Sequence, residues 1–232
     1  MIMKYTKWTF VGIFSFLMLY LGIVWLWANS AAPDLLGEFV PGKTAEEIDP
    51  QLVSVLIQIE DPSFYAHSGL DVSNGQGLTT ITSAVARTVF LGNQQLGGVK
   101  GTLQSFYRGV FNCCKRIDFG RDVMALVLNS HATKQDQLDI FIRNAYLGSQ
   151  NGRGIIGFED AALTYYGKEL SDLTEDEVYG IVAMLLAPNY YHPVKNPQIH
   201  AQRMQRVKAV VSGQCEPKGW LDLTYEHCAT DA

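Results

Sequence analysis

The sequence lacks the features of several common functional classes. It has no positive net charge: 18 basic and 23 acidic residues give −5 at pH 7, with a pI near 5.5, which argues against a nucleic-acid partner. Its five histidines and four cysteines show no spacing typical of a zinc site. From 232 residues we expect one membrane anchor and one domain of ordinary size, without room for a second catalytic domain.

Charge is also absent from a long stretch near the N-terminus. No residue from Trp8 to Pro33 is charged, and Phe10 to Trp27 is long enough to cross a hydrocarbon core that needs about 20 apolar residues. Lysines precede the stretch and acids follow it, namely Lys4, Lys7, Asp34 and Glu38. The positive-inside rule therefore predicts a single-pass anchor in the cytoplasmic membrane, with the N-terminus inside and the following domain extracytoplasmic, in the periplasm.

Two details concern the end of this anchor. Trp25 and Trp27 fall where an interfacial aromatic belt would lie. The small residues of 28–32 would suit cleavage of a signal peptide, but such peptides have apolar cores of about 7–15 residues, so an anchor is favoured. The predicted organisation comprises a cytoplasmic N-terminus with its anchor, a linker marked by proline and glycine, a folded domain and a cysteine-containing tail: 1–33, 34–50, 51–212 and 213–232.

The four cysteines fit an exported chain. Cys215 and Cys228 flank a tail rich in polar and turn residues, where a disulfide would staple a segment with little core of its own. Cys113 and Cys114 are adjacent and suggest no such role. Four cysteines allow three pairings, and the sequence leaves the choice open.

The densest cluster of chemically versatile residues runs from Glu60 to Asp71. It places Glu60, Asp61 and His67, with aromatic residues and glycines, at the end of the strongly apolar stretch 52–59. An acid that closes an apolar helix is partly desolvated, which favours its neutral form and moves its pKa toward the range useful for general acid–base catalysis. The alternative is a helix C-cap with an incidental acidic pair.

A second cluster is basic. From Arg87 to Arg121 six basic residues accompany one acid, so this segment carries +5 and the remainder of the chain −10. A basic segment beside a membrane suits a phosphate-bearing or anionic-lipid ligand. The alternative is a solvated face without a ligand.

These motifs, in this order, resemble glycosyltransferase family 51, the peptidoglycan glycosyltransferases that polymerise lipid II. The run Glu60–Asp71 is similar to the family signature E-D-x-x-F-x-x-H-x-G-x-D at six positions. The segment 79–87, T-T-I-T-S-A-V-A-R, resembles the second motif, G-G-S-T-I-T-Q-Q-L-A-K-N. Arg87 replaces the lysine of that motif, and Ser83 and Ala84 replace its two glutamines.

The hydroxyl cluster of 79–82 also has a direct physical interpretation. Threonine hydroxyls cap the first amide groups of a helix, and a helix N-terminus is a natural receptor for an anion. The cluster therefore predicts a helix that starts at an anion site. The same T-T-I-T pattern is also typical of a β-strand, which is the alternative.

The resemblance continues to about Val211. Thr133–Asp136 and Thr174–Glu177 are predicted capping boxes at the starts of two helices, and Pro188 is predicted to close the second. The glycines between 152 and 157 predict a tight turn between two helices. Helices are predicted for 138–148, 178–187 and 198–211.

One departure from the family pattern concerns the site itself. Counting back from Tyr146, the third motif, R-K-x-x-E, would place its second catalytic-site glutamate at Arg121, with Asp122 one position later. One residue turns a side chain by about 100° around a helix. Asp122 therefore substitutes for the glutamate only if the helix is re-registered.

The resemblance implies a mainly α fold, in which a lysozyme-like glycosyltransferase domain is preceded by one transmembrane helix. It implies that Glu60 is the general base, that Asp61 orients it and that Asp122 is the candidate second acid. Substrate contacts are implied for the first-motif side chains, for the hydroxyls and Arg87 at the diphosphate, and for further compensating cations: Phe64, His67, Thr80, Thr82, Arg87, Lys115, Arg116 and Arg121. No metal site or cofactor is predicted, and a role for a divalent cation stays open.

The implied partners are lipid II, the growing glycan strand, the membrane and cell-wall synthesis proteins. Two other functions stay open. A degenerate member of the family would bind lipid-linked glycan or partner proteins without polymerising anything. A lytic, lysozyme-like enzyme is the third hypothesis, because a single glutamate can protonate a glycosidic oxygen.

Overall fold

The structure, a computed structural model, describes residues 2–39, 49–71, 80–113, 119–219 and 222–228. Within these ranges the fold is mainly α, as predicted, with one small two-stranded sheet. In chain order the elements are α1 (Ile2–Leu36), a 3₁₀ turn (Gly37–Phe39), α2 (Pro50–Glu60), α3 (Ile81–Leu91), α4 (Gly98–Cys113), α5 (Phe119–His131), α6 (Lys134–Asn144), β1 (Tyr146–Gln150), β2 (Arg153–Ile156), α7 (Phe158–Tyr166), a 3₁₀ turn (Leu170–Asp172), α8 (Glu175–Met184), α9 (Pro197–Val211) and a 3₁₀ turn (Glu226–Cys228).

Helix α1 has two different environments along its length. Its first half exposes large apolar side chains such as Phe10, Phe14 and Phe16, each more than 60% exposed. Among the described residues it supplies the one span long and apolar enough to cross a membrane, Trp8–Phe39, with a mean hydropathy of 2.1. The other half buries Val24, Ala28, Ala31 and further residues against α5, α3 and α4.

The end of α1 differs from the sequence-based expectation in two respects. The helix continues through Pro33 to Leu36, so the first residues assigned to the linker are helical. Trp27 is only 4% exposed, and its indole N–H donates to the backbone carbonyl of Lys100, 3.0 Å away. Its assignment to an interfacial belt was therefore wrong, whereas Trp25 remains 52% exposed.

Helix α2 forms as its pattern predicts and delivers Glu60 at its last position. Asp49 caps it by accepting a hydrogen bond from the Gln51 amide at 2.9 Å, and Pro50 supplies the fixed φ that suits a first helical turn. Its buried side chains recur at i, i+3, i+4 and i+7, so one apolar face packs against α8 and α9. These residues are Leu52, Val55, Leu56 and Ile59.

Helix α3 starts beside the end of α2. Thr80 is its N-cap and accepts from the Ser83 amide at 3.0 Å, so the helix interpretation of the threonine cluster is confirmed and the strand alternative is wrong for residues 80–82. Thr79 lies outside the described residues. The buried face of α3, which includes Val85 and Phe90, packs on α5 and α6.

The glycine-rich segment after α6 forms a hairpin rather than a turn between two helices. Helix α6 ends at Asn144, short of the predicted 148, and β1 and β2 pair antiparallel with Gln150 opposite Arg153. Asn151 and Gly152 have φ values of 52° and 79°, as the turn of a two-residue hairpin of type I′ requires. The Asn-Gly pair carried this signal in the sequence.

Helices α8 and α9 are the last two α-helices among the described residues. Both predicted capping boxes are present, at Thr133 before α6 and at Thr174 before α8. Helix α8 ends at Met184, before the predicted stop at Pro188, and a turn connects it onward. Beyond α9, Cys215 and Cys228 are joined by a disulfide, which confirms that pairing.

Candidate active site

A cavity of about 420 Å³ lies at the C-terminal end of α2, where helices α3, α5 and α9 meet the tail. Its charged and polar lining residues come from α2, α3, α5, β1, α9 and the tail. They include Glu60, Ser83, Arg87, Arg121, Arg203 and Tyr225. One carboxyl group therefore shares the cavity with three guanidinium groups.

Glu60 is the acid of this cavity, and its environment shifts its proton affinity. It is partly buried, and no described cation lies within ion-pairing distance of it. Burial raises the pKa of Glu60 from 4.5 to about 7, the charge of Arg203 opposes this shift, and Asp61 adds to it. A carboxyl group with such a pKa exchanges protons readily near neutral pH, as a general acid or base must.

Asp61 binds the start of α3 and the His67 ring. Its carboxylate accepts from the Ile81 amide at 2.9 Å and from His67 Nε2 at 2.9 and 3.0 Å. Since His67 Nδ1 accepts from the Gly69 amide, the neutral ring carries its proton on Nε2 and donates it to Asp61. Burial raises the pKa of Asp61, and the hydrogen bond from His67 opposes the rise.

Three predicted substrate contacts have internal partners instead. Phe64 is fully buried, with the Lys134 ammonium 4.4 Å from its ring centre. The Thr80 hydroxyl donates to the Gly69 carbonyl at 2.7 Å, and the Thr82 hydroxyl donates to Gln137 Oε1 at 2.6 Å. None of the three lines the cavity. Their contacts fix the first-motif segment, α3 and α6 in position relative to one another.

The positions where the family pattern has glutamines do face the cavity. Ser83 and Ala84 line it, one turn into α3. The Ser83 side chain is fully buried, and its hydroxyl has no hydrogen-bond partner among the described residues. A buried hydroxyl at a cavity wall is suited to a ligand atom.

Arg87 and Arg121 supply two of the three cations. Arg87 is solvent-exposed on one side; partial burial and then the charge of Arg121 lower its pKa. Arg121 pairs with Asp122 at 3.1 Å, and Asp122 is not among the residues that line the cavity. Arg121, the position at which the count back from Tyr146 expects the second glutamate of the family pattern, therefore lines the cavity, whereas Asp122 does not. Lys115 and Arg116 lie outside the described residues.

Arg203 is the functional candidate that sequence reasoning missed. It is only 2% exposed, and its Nε and Nη1 atoms have no hydrogen-bond partner among the described residues. Its guanidinium carbon lies 4.6 Å from the ring centre of Tyr225 and 5.7 Å from that of Tyr191. The sequence signal was an arginine on the apolar stripe of α9, four residues before buried Val207.

This arrangement can accept a proton and bind an anion in one cavity. The Arg203 guanidinium is kept from water by aromatic faces, which partly compensate its lost hydration. Like-charged guanidinium groups repel, so an anionic ligand among them would be stabilised. The described residues contain one cluster of potential metal ligands, Cys215, His227 and Cys228, but it lies in the tail and its cysteines form the disulfide.

The fold and the site are those of a helical glycosyltransferase-type domain that follows one candidate membrane span, and comparison with known proteins supports this class. The model of the Transglycosylase family matches residues 40–212. The chain belongs to this family, which is glycosyltransferase family 51, as its motifs indicated.

Individual relatives are more distant. Penicillin-binding protein 1A of Streptococcus oralis is 29% identical over 187 residues, 78% of this chain and 28% of its own length. The transglycosylase-like protein H16_A0665 of Cupriavidus necator is 29% identical over 170 residues, 68% of this chain and 64% of its own. Penicillin-binding protein 1B of Escherichia coli is 25% identical over 177 residues, which are 70% of this chain and 19% of its own length. The chain thus spans less than two thirds of the length of these relatives.

Proposed function

We propose that this protein is a membrane-anchored peptidoglycan glycosyltransferase that polymerises lipid II into glycan strands, with Glu60 as general base. The observation that carries the proposal is the position of Glu60, a carboxyl group with a pKa of about 7, in a cavity walled by three arginines. Membership of the transglycosylase family supports the reaction class.

In the proposed reaction Glu60 removes the proton from the acceptor sugar hydroxyl as that oxygen attacks the anomeric carbon of the donor. The bond from this carbon to the lipid pyrophosphate breaks, and the pyrophosphate leaves with the electron pair. Negative charge then develops on the leaving group, where cations lower the barrier most. Arg87, Arg121 and Arg203 are the groups available for that purpose.

The proposed membrane anchor is α1. We infer that its exposed apolar half spans the membrane, with the N-terminus inside and the domain on the periplasmic side, because lysines precede the span and acids follow it. The buried half of the same helix would then hold the cavity close to the membrane surface, where a lipid-linked substrate is found.

Loss of the second family glutamate favours one competing function. Because Arg121 occupies that place in the cavity wall, a protein that binds lipid-linked glycan without polymerising it is a specific alternative. Transfer with a single base needs no second carboxylate as nucleophile, so the substitution by itself does not exclude catalysis.

The deciding experiment is polymerisation of lipid II by the full-length protein in detergent or membranes. We expect glycan strands from the unmutated protein and essentially none from Glu60→Gln, with lipid II binding retained in both. Binding without strands from the unmutated protein would reject the enzyme in favour of the binding protein. Cleavage of finished peptidoglycan would instead indicate the lytic hypothesis.

A further inference from the structure

The wall of the Glu60 cavity extends beyond the part of the chain that matches the family. The match ends at residue 212, whereas Leu223 and Tyr225 both line the cavity. Tyr225 is 1% exposed, although the described residues of the tail, 213–219 and 222–228, form no regular element apart from one 3₁₀ turn. The family match therefore does not account for a polar tail that buries an aromatic ring beside the proposed general base.

Tyr225 connects the two functional elements of the cavity. Its hydroxyl donates to the Ile59 carbonyl at 3.3 Å, in the last turn of α2, which carries Glu60. Its ring faces the Arg203 guanidinium carbon at 4.6 Å. One side chain thereby contacts the turn that carries the proposed base and stacks on the buried cation.

The backbone of Tyr225 is in a conformation that must be held by its surroundings. Its φ is 51°, in the left-handed region that residues with a Cβ rarely adopt and that is costly for a bulky side chain. Such conformations persist where the surrounding structure over-determines them, and they cluster at functional sites. The Tyr225 carbonyl also accepts from the Cys228 amide at 2.9 Å.

The disulfide attaches this tail to α9. Cys228 is 5% exposed and bonded to Cys215, whose amide donates to the Ala209 carbonyl of α9 at 3.1 Å. The helix that carries Arg203 therefore also anchors the segment that carries Tyr225. Both ends of the loop are fixed, so the ring is held at the cavity by covalent and hydrogen bonds.

We propose that the disulfide-closed tail is the outer wall of the Glu60 cavity and that Tyr225 is its positioning residue, which excludes water from Glu60 and holds Arg203 in place. The proposal deepens the proposed function, on which its catalytic consequence rests. Its physical consequence is independent of the reaction, because water exclusion acts on the proton affinity of Glu60 directly.

The direction of that effect follows from the groups around Glu60. Burial is the main cause of its raised pKa, so opening the wall should lower the pKa toward the ordinary 4.5. The other titratable groups around Glu60 would remain, and the cations among them favour its charged form. Arg87, Arg121, Tyr146 and Arg203 line the cavity, and Asp61 is the neighbouring acid that opposes the charged form of Glu60.

The test is a direct titration of Glu60 in the full-length protein in detergent. Glutamate is labelled with ¹³C at Cδ, and the Glu60 signal is identified by its absence in Glu60→Gln. We expect Tyr225→Ala to lower the Glu60 midpoint by about one pH unit or more. Tyr225→Phe should stay near the unmutated value because the ring remains, and Cys215→Ser/Cys228→Ser should lower the midpoint because the tail is untethered.

Tyr179→Ala is the matched control. Tyr179 is also a buried tyrosine, 5% exposed, beneath a cation, but it lies on α8 and does not line the cavity. Its loss should leave the Glu60 midpoint unchanged. A shift as large as that of Tyr225→Ala would mean that general loosening of the fold, not the wall, sets the titration.

An unchanged Glu60 midpoint in folded Tyr225→Ala overturns the proposal. If that variant does not fold, the double serine variant decides, since it removes no large side chain from the core, and an unchanged midpoint there has the same meaning. Absence of polymerisation by the unmutated protein would reject the proposed function and leave the titration result intact. Normal polymerisation, with an unchanged Glu60 midpoint in both variants, would reject the proposed role of the tail and leave the proposed function standing.

Discussion

The indole N–H of Trp27 donates to the backbone carbonyl of Lys100 at 3.0 Å, and this bond joins α1 to the first turn of α4. The same ring packs against Phe90 and Tyr107, with ring centres 5.8 and 4.8 Å away. The C-terminal end of α1, the helix that holds the candidate membrane span, is therefore part of the hydrophobic core. A helix that only tethered the domain would need no such contacts.

The first prediction concerns this contact. Trp27→Ala should destabilise the folded protein by about 3–5 kcal/mol, because it leaves a large cavity in the core and removes the indole hydrogen bond to the Lys100 carbonyl. Trp25→Ala is the control, since Trp25 is 52% exposed on the same helix. Chemical unfolding in detergent measures both. Equal destabilisation by the two substitutions would contradict the integration of α1 into the core.

The second prediction concerns the pH dependence of activity. A general base works in its deprotonated form, and the pKa of Glu60 is raised to about 7. Polymerisation should therefore rise with pH to a half-maximum near 7, and Glu60→Gln should lower kcat by about 10²–10⁴-fold. Initial rates from pH 5 to 9 test this. A rate that is flat across this range would exclude Glu60 as the base.

The third prediction concerns stability at the same residue. Between the ordinary pKa of 4.5 and about 7, the folded protein retains the Glu60 proton and the unfolded chain loses it, so stability falls as pH rises through this window. The Glu60→Gln substitution removes this pH-dependent loss of stability. The variant should exceed the unmutated protein in unfolding free energy by about 1–3 kcal/mol at pH 8, and by little near pH 4. A stability difference independent of pH would refute the buried-carboxyl account.

The fourth prediction concerns the cationic wall. Arg87→Ala should weaken lipid II binding, and added salt should weaken it further, because the ligand carries pyrophosphate. Arg153→Ala is the control: Arg153 is exposed and paired with Asp160 at 2.9 Å on the hairpin, and it does not line the cavity. Affinity is compared for lipid II and for undecaprenol without phosphate. Equal binding of the two lipids would reject a pyrophosphate site.

The fifth prediction concerns the displaced acid. Asp122 does not line the cavity and pairs with Arg121, so Asp122→Asn should reduce turnover far less than Glu60→Gln. The kcat values of both variants in the same assay decide the matter. A comparable loss would mean that Asp122 has taken the role of the second family glutamate.

Local elements could largely be predicted from the sequence. The apolar spacing of α2 and the capping boxes at Thr133 and Thr174 concern residues within a few positions of one another. The stability of these local elements depends on interactions between residues that are close in the sequence. Glu60 could be singled out for the same reason, as an acid that ends an apolar helix.

The roles of the threonines and of Arg203 could not be predicted in this way. Whether the Thr82 hydroxyl meets a ligand or Gln137 depends on how α3 packs against α6. Whether Arg203 is a solvated cation or a buried one depends on which rings cover it. Both are contacts between segments distant in the chain, which no local pattern specifies.

The sequence by itself determined that this protein has an apolar stretch long enough to span a membrane, a helical domain and an acid at the end of an apolar helix. The tertiary structure decided that Trp27 belongs to the core, that Arg121 rather than Asp122 lines the cavity, and that Tyr225 lines it as well. Tyr225 and Ile59 are 166 positions apart, so only packing of the complete fold brings them together. Burial of Glu60, and with it the raised pKa, is a property of that packing.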